Sequence, residues 1–121
     1  MEEIILEETE FGPKIELKSN GCFLIKGQSM MENAEAFYQD IHDWINRNGE
    51  DLDTIEINID LSYFNSSSAK QLLKFLMAID ELEKNSVVNW FFPEENDILK
   101  DRGYEFEIML DIPFNFKSNK A

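Results

Sequence analysis

The stretch from Asp53 to Leu82, DTIEINIDLSYFNSSSAKQLLKFLMAIDEL, constrains the fold more than any other part of the chain, because its hydrophobic period changes once and abruptly. From Thr54 to Leu61, Ile55, Ile57, Ile59 and Leu61 alternate with Glu56, Asn58 and Asp60. A period of two predicts a β-strand with one apolar face. From Ala69 to Leu82 the apolar residues Ala69, Leu72, Leu73, Leu76, Ile79 and Leu82 fall on one helical stripe. Between the two periods lies Tyr63-Phe64-Asn65-Ser66-Ser67-Ser68, where short polar residues stand in a row at the point where a helix must begin. A helix start leaves N–H groups unpaired and carries partial positive charge, and one capping side chain meets that need. The run from Asn65 to Ser68 therefore exceeds what capping alone requires.

The flanking segments extend this strand–helix unit. Ile4 to Leu6 is a short apolar segment among glutamates, and Phe11-Gly12-Pro13 breaks the chain. Lys14 to Lys18 alternates, Asn20-Gly21 is a strong hairpin signal, and Cys22 to Lys26 is the returning antiparallel strand, which Gly27 is expected to end. Ala34, Phe37, Tyr38, Ile41, Trp44 and Ile45 form an apolar helical stripe, capped by Asn33 or Ser29 and stopped at Asn48-Gly49. Lys84-Asn85-Ser86 is a turn and Val87 to Phe92 a buried strand. Pro93 to Asp97 is an acidic loop, and Ile98 to Leu110 suggests helical structure broken around Gly103. Pro113 to Phe116 is short and extended, and Lys117 to Ala121 is a polar tail. Strand–helix–strand crossovers make the later strands parallel, and helices must cover the sheet. The expected fold is α/β: a mixed sheet with an N-terminal β-hairpin and helices mainly on one face, formed by residues 1–121 as a single domain.

Charge narrows the function. With 25 acidic against 11 basic residues the formal net charge is −14, and the basic residues form no cluster. Phosphate backbones are bound by neutralising them with Lys and Arg, so nucleic acid and anionic membrane surfaces are disfavoured as partners. No apolar run approaches the roughly 20 residues of a membrane helix, and the acidic N-terminus has no basic segment of a secretory signal. The single cysteine, Cys22, makes no internal disulfide and fits a reducing cytoplasm.

Catalytic constellations are lacking. His42 is the one histidine and reads as a helix-surface residue, with no second His or Cys to share a metal; Cys22 reads as a small core residue. No phosphate-cradling glycine loop or nucleophile elbow occurs. Glu94-Glu95-Asn96-Asp97 lacks the spacing and glycine of a calcium loop and reads as a solvated turn. No metal, no cofactor and no enzymatic activity are expected. For the serine run two readings stand side by side. In one it is a helix cap in a constitutive scaffold or interaction subunit; in the other it is a phosphorylation switch, since a phosphate at a helix N-terminus meets free N–H groups and the positive dipole end.

Tyr63-Phe64-Asn65-Ser66-Ser67-Ser68-Ala69-Lys70 followed by a Leu-rich helix resembles the Y-[LF]-N-[ST]-S-S core of the SiaC-type regulatory phosphoproteins, a bacterial family. The resemblance extends through Pro13-Lys14-Ile15, Gly27-Gln28-Ser29, Glu32-Asn33-Ala34, Phe37-Tyr38, Trp44-Ile45, Trp90, the acidic residues 94–97, Gly103 and Pro113 to Phe116. It implies a STAS-like, anti-anti-sigma type of fold and a non-enzymatic partner switch. A serine/threonine kinase would modify the residue after the Asn, and a PP2C-type phosphatase would reverse this. The unmodified protein would bind and activate a diguanylate cyclase, setting cyclic-di-GMP output and biofilm behaviour. By position the modified residue is Ser66, with Tyr63, Asn65, Ser67, Ser68 and Lys70 in the switch loop and partner surface. Two departures stand out. Ser66 replaces the threonine of the best-known members, and Met30-Met31 stands where the family usually has an aromatic residue and a proline.

Overall fold

The computed structural model describes residues 1–119. Its strands are β1 (Ile4–Leu6), β2 (Lys14–Leu17), β3 (Cys22–Ser29), β4 (Thr54–Phe64), β5 (Asn85–Pro93) and β6 (Phe114–Asn119). Its helices are α1 (Ala34–Asn48), α2 (Ser66–Glu81) and α3 (Asp97–Met109), with a short 3₁₀ turn at Gly49–Asp51. All six strands form one sheet in sequence order. The pairs β1–β2 and β2–β3 are antiparallel, whereas β3–β4, β4–β5 and β5–β6 are parallel. The mixed α/β sheet and its N-terminal hairpin are as expected from the sequence.

The one-sided placement of the helices has a topological cause. Each of the three crossovers steps the same way across the sheet, and crossovers share one hand, so every helix lands on the same face. That face carries Phe23, Ile25, Ile57, Ile59, Val88 and Trp90, all fully or almost fully buried. Phe23 meets Trp44 of α1 edge-on and Phe75 of α2, while Trp90 packs on Phe106 of α3. The opposite face mixes polar residues with Leu24, Val87 and Phe91. There Asn58, Asn89 and Asn115 occupy neighbouring positions on three parallel strands. The Asn89 amide donates to Asn58 (2.9 Å), and the Asn115 amide donates to Asn89 (3.3 Å).

The hairpin turns through Gly21, whose φ of +86° suits glycine, and a Cβ there would collide with the Thr54 carbonyl. The Asn20 side chain accepts from the Cys22 N–H (2.9 Å) and closes the turn.

Several boundaries differ from the sequence reading. Gly27 does not end β3. It takes a φ of +118° at a register shift between Gly27 and Gln28, and the strand continues to Ser29, opposite Phe64. A bulge bends a strand without stopping it, and here it carries Ser29 to the start of α2. Helix α3 is unbroken at Gly103, because that glycine is needed for space: a Cβ would meet the Trp90 indole at 2.6 Å and the Phe116 ring at 2.7 Å. Lys117 to Asn119 belong to β6, while residues 120–121 of the expected polar tail lie outside the described residues. Cys22 lies on the face away from the helices, half-buried, with its thiol 3.7 Å from Glu56. Burial, and then the Glu56 charge, push that thiol's pKa up, so it is a poor nucleophile.

His42 is a second correction. It is 5% exposed and lies between α1 and α2, its Nε2 3.0 Å from the Gln71 side-chain oxygen, while Nδ1 has no partner. Periodicity could not reveal this, because α2 closes over a helix position that would face solvent in isolation. Burial lowers the His42 pKa below the ordinary 6.5, against the raising effect of Gln71; Lys74 lowers it and Asp43 raises it. The fold therefore holds the neutral ring, so this stabilisation is complete above the ordinary value and is lost as pH falls through the lowered one. Denaturation midpoints should drop between pH 7.5 and pH 5, and that drop should shrink in His42→Leu. An unchanged drop in the variant would assign the acid sensitivity elsewhere.

Candidate functional site

The site forms where β4 delivers the chain to α2. Phe64, fully buried, ends the strand against Trp90 and Phe106. Asn65 then leaves the sheet in extended conformation and caps α2: its side-chain oxygen accepts from the Ser68 N–H at 2.9 Å. Its amide donates to the Met31 carbonyl (3.3 Å) and its own N–H to the Ser29 carbonyl (3.1 Å). Asn65 thus fixes the helix start and ties it to the β3–α1 loop, a role in which a cap contributes about 1 kcal/mol.

Helix α2 begins at Ser66, three residues before the apolar stripe that revealed it. The cap is Asn65, so Ser67 and Ser68 do not serve as caps. The three serines differ sharply. Ser66 and Ser67, in the first turn, are exposed. Ser68 is fully buried; its hydroxyl oxygen accepts from the Ser29 hydroxyl at 2.7 Å, and its own O–H is directed at the Met31 sulfur, 3.6 Å away. The Ser29 hydroxyl in turn lies 2.8 Å from the Tyr38 hydroxyl. Burial pushes the Tyr38 pKa up to about 12, opposed by its bond to Ser29, so the phenol stays neutral. Three buried hydroxyls therefore join β3, α1 and α2 directly beneath the exposed serines, and buried polar groups that pair fully in this way make a rigid base.

Tyr63, on the strand rim opposite Gln28, is 51% exposed. Lys70, one turn beyond Ser66, is exposed, and among the described residues it forms no ion pair. Met30 and Met31 are half-buried in the adjoining loop, where the Met30 N–H donates to the Phe11 carbonyl (2.9 Å). Tyr63, Asn65, Ser66, Ser67 and Lys70 thus share one end of the molecule, and Ser68 forms its floor.

Four participants escaped sequence reasoning as members of this site. Ser29 reads there as a helix cap, Tyr38 as core and Met31 as a departure from the family pattern, while Arg102 carries no local signal. The Arg102 guanidinium lies 4.0 Å over the Phe64 ring and donates to the Phe64 carbonyl (3.1 Å), across a separation of 38 residues. It clamps α3 onto the end of β4. The acidic residues Glu94 and Glu95 form an exposed turn after β5, the parallel neighbour of β4, and Asn96 caps α3 by accepting from the Leu99 N–H (3.0 Å). Among the described residues no His, Cys, Asp and Glu cluster could hold a metal ion, and no helix is long and apolar enough to cross a membrane.

A helix start with two exposed serines on a mixed sheet places the molecule in a class of small α/β proteins for which solved structures exist. The apo-SiaC crystal structure from Pseudomonas aeruginosa matches with a TM-score of 0.90 at 23% identity, covering 98% of this chain and 100% of that one. A chain in the crystal structure of the diguanylate cyclase SiaD with its activator SiaC, from the same organism, matches with a TM-score of 0.89 at 22% identity, covering 96% and 99%. Among curated proteins no sequence matches significantly. The sequence model of the SiaC family regulatory phosphoproteins matches residues 6–119. The chain belongs to that family, whose members are regulatory phosphoproteins.

Proposed function

We propose that the protein is a cytoplasmic partner switch that binds and activates a diguanylate cyclase when unmodified and lets it go when Ser66 is phosphorylated. A serine/threonine kinase adds the phosphate and a PP2C-type phosphatase removes it. The observation that carries this reading is the division of labour in the first turn of α2. Asn65 already caps the helix, so the exposed Ser66 hydroxyl is left without a structural task, and Ser68 is enclosed. This favours a switch over a scaffold in which the serines only cap. Ser67 is also exposed; the family pattern selects Ser66. A phosphate on Ser66 would face the first N–H groups of α2 and the positive end of its dipole, so the modified state costs the fold little. The same phosphate adds nearly two negative charges where the partner sits. The SiaC of the solved complex is described as the activator of its cyclase, which supports a cyclase as the output here.

The test is peptide mass spectrometry of the protein from its native cells, with and without phosphatase, followed by binding of Ser66→Ala and Ser66→Asp to the purified cyclase of the same cell. A phosphate on Ser66, with binding kept in the Ala variant and lost in the Asp variant, is expected. Phosphate confined to Ser67, or equal binding by both variants, would overturn the assignment.

A further inference from the structure

The exposed side of α2 continues from Ser66 through Lys70, Leu73, Lys74 and Met77, positions spaced so as to lie along one helix face. The charge along it is unlike the rest of the molecule. No Asp or Glu occurs between Asp60 and Asp80, in a chain that carries 25 of them, while Lys70 and Lys74 are both exposed. Neither lysine has an ion-pair partner among the described residues; the ion pairs found engage Lys14, Lys18 and Lys84. Beside them runs a shallow groove of about 470 Å³, lined by Lys70, Leu73, Lys74, Met77, Ala78 and Glu81. Met77, at 45% exposure, gives it an apolar centre.

We infer that this face is the docking strip for the partner, and that the partner presents an acidic surface with apolar residues to fill the groove. Charge complementarity selects the occupant. An acidic partner would be repelled by most of this surface and best received along α2, where Lys70 and Lys74 stand one turn apart and Glu81 closes the far end of the groove. A basic partner would be met at the head of this face by Lys70 and Lys74, in a molecule whose other charges are mostly acidic. Met77 and Leu73 supply the apolar contact, and methionine adapts its shape to what it covers. The strip also accounts for the direction of the switch. Ser66 lies at its head, one turn before Lys70, so a phosphate there would pair with Lys70 and repel an acidic surface at the same place.

This inference rests on the reading of the protein as a cyclase-binding switch, and the test separates the two. The full chain, Lys70→Glu/Lys74→Glu, and a control Lys26→Glu/Lys117→Glu are titrated against the purified cyclase of the same cell at low and high salt. The control makes the same charge change with exposed lysines of other elements. The α2 variant should bind about a hundredfold more weakly, with melting temperature retained, while the control binds as wild type. Wild-type affinity should fall as salt rises, because exposed charges are screened. Equal loss in the control, or undiminished binding by the α2 variant, would overturn the strip and leave the cyclase reading standing. Failure of the wild type to bind the cyclase would overturn the cyclase reading, and the strip as its docking surface with it.

Discussion

Ser68→Asp is expected to destabilise the protein severely, whereas Ser66→Asp, two residues earlier, should leave it folded. Ser68 is fully buried and its hydroxyl is committed to Ser29. A carboxylate there has no cation to meet. It is larger than the hydroxyl, can be met only by the neutral Ser29 hydroxyl, and must give up its hydration, so the loss should be about 3–5 kcal/mol. For a chain of this length that lowers the melting temperature by about 10–20 °C. Ser66 is exposed in the first turn of α2, where a negative side chain interacts favourably with the dipole by about 0.3–1 kcal/mol. Its melting temperature should stay at or slightly above wild type. Thermal melts of the two purified variants decide the matter, and similar melting temperatures would mean that the hydroxyl network does not enclose Ser68. The contrast matters for function: a kinase can reach the Ser66 hydroxyl in the folded protein, but could reach that of Ser68 only after the helix start opened.

The second large effect is expected at Trp90. Its ring is packed by Phe64, Phe106 and Phe114, its indole N–H donates to the Leu99 carbonyl at 3.0 Å, and Gly103 lies against it. Trp90→Ala removes the surface on which α3 rests and should cost about 3–5 kcal/mol. The Leu99 carbonyl would also lose its partner, which adds to the cost. Trp90→Phe, which keeps most of the apolar volume, should cost clearly less. Amide exchange should show the lost protection concentrated in α3, residues 97–109, and at the end of β4, because Arg102 joins the two. Protection lost evenly over all six strands would show that α3 is not a separately anchored unit.

Much of the architecture was legible in local patterns. The alternation from Ile55 to Leu61 and the helical stripe from Ala69 to Leu82 are one-dimensional records of burial on one face, and each depends only on neighbours in sequence. Asn20-Gly21 announces its hairpin because the turn's backbone angles exclude most other residues. The run from Asn65 to Ser68 marked the site for the same reason, since capping chemistry is local. The chain order of strands and helices then left few topologies, and the shared hand of crossovers placed the helices on one face.

What the sequence by itself determined, then, was the elements, their order and the residues where a switch could sit. The tertiary structure decided which serine is free and which is enclosed, because Ser68 is held by Ser29, 39 positions away. It decided that Gly27 bends β3 rather than ending it, and that Gly103 makes room for Trp90 rather than breaking α3. It also placed His42 under Gln71 of a different helix, where the periodicity of α1 alone predicted solvent. Each of these depends on a partner distant in the chain, and hydrophobic periodicity reports only that a residue is buried, never by what.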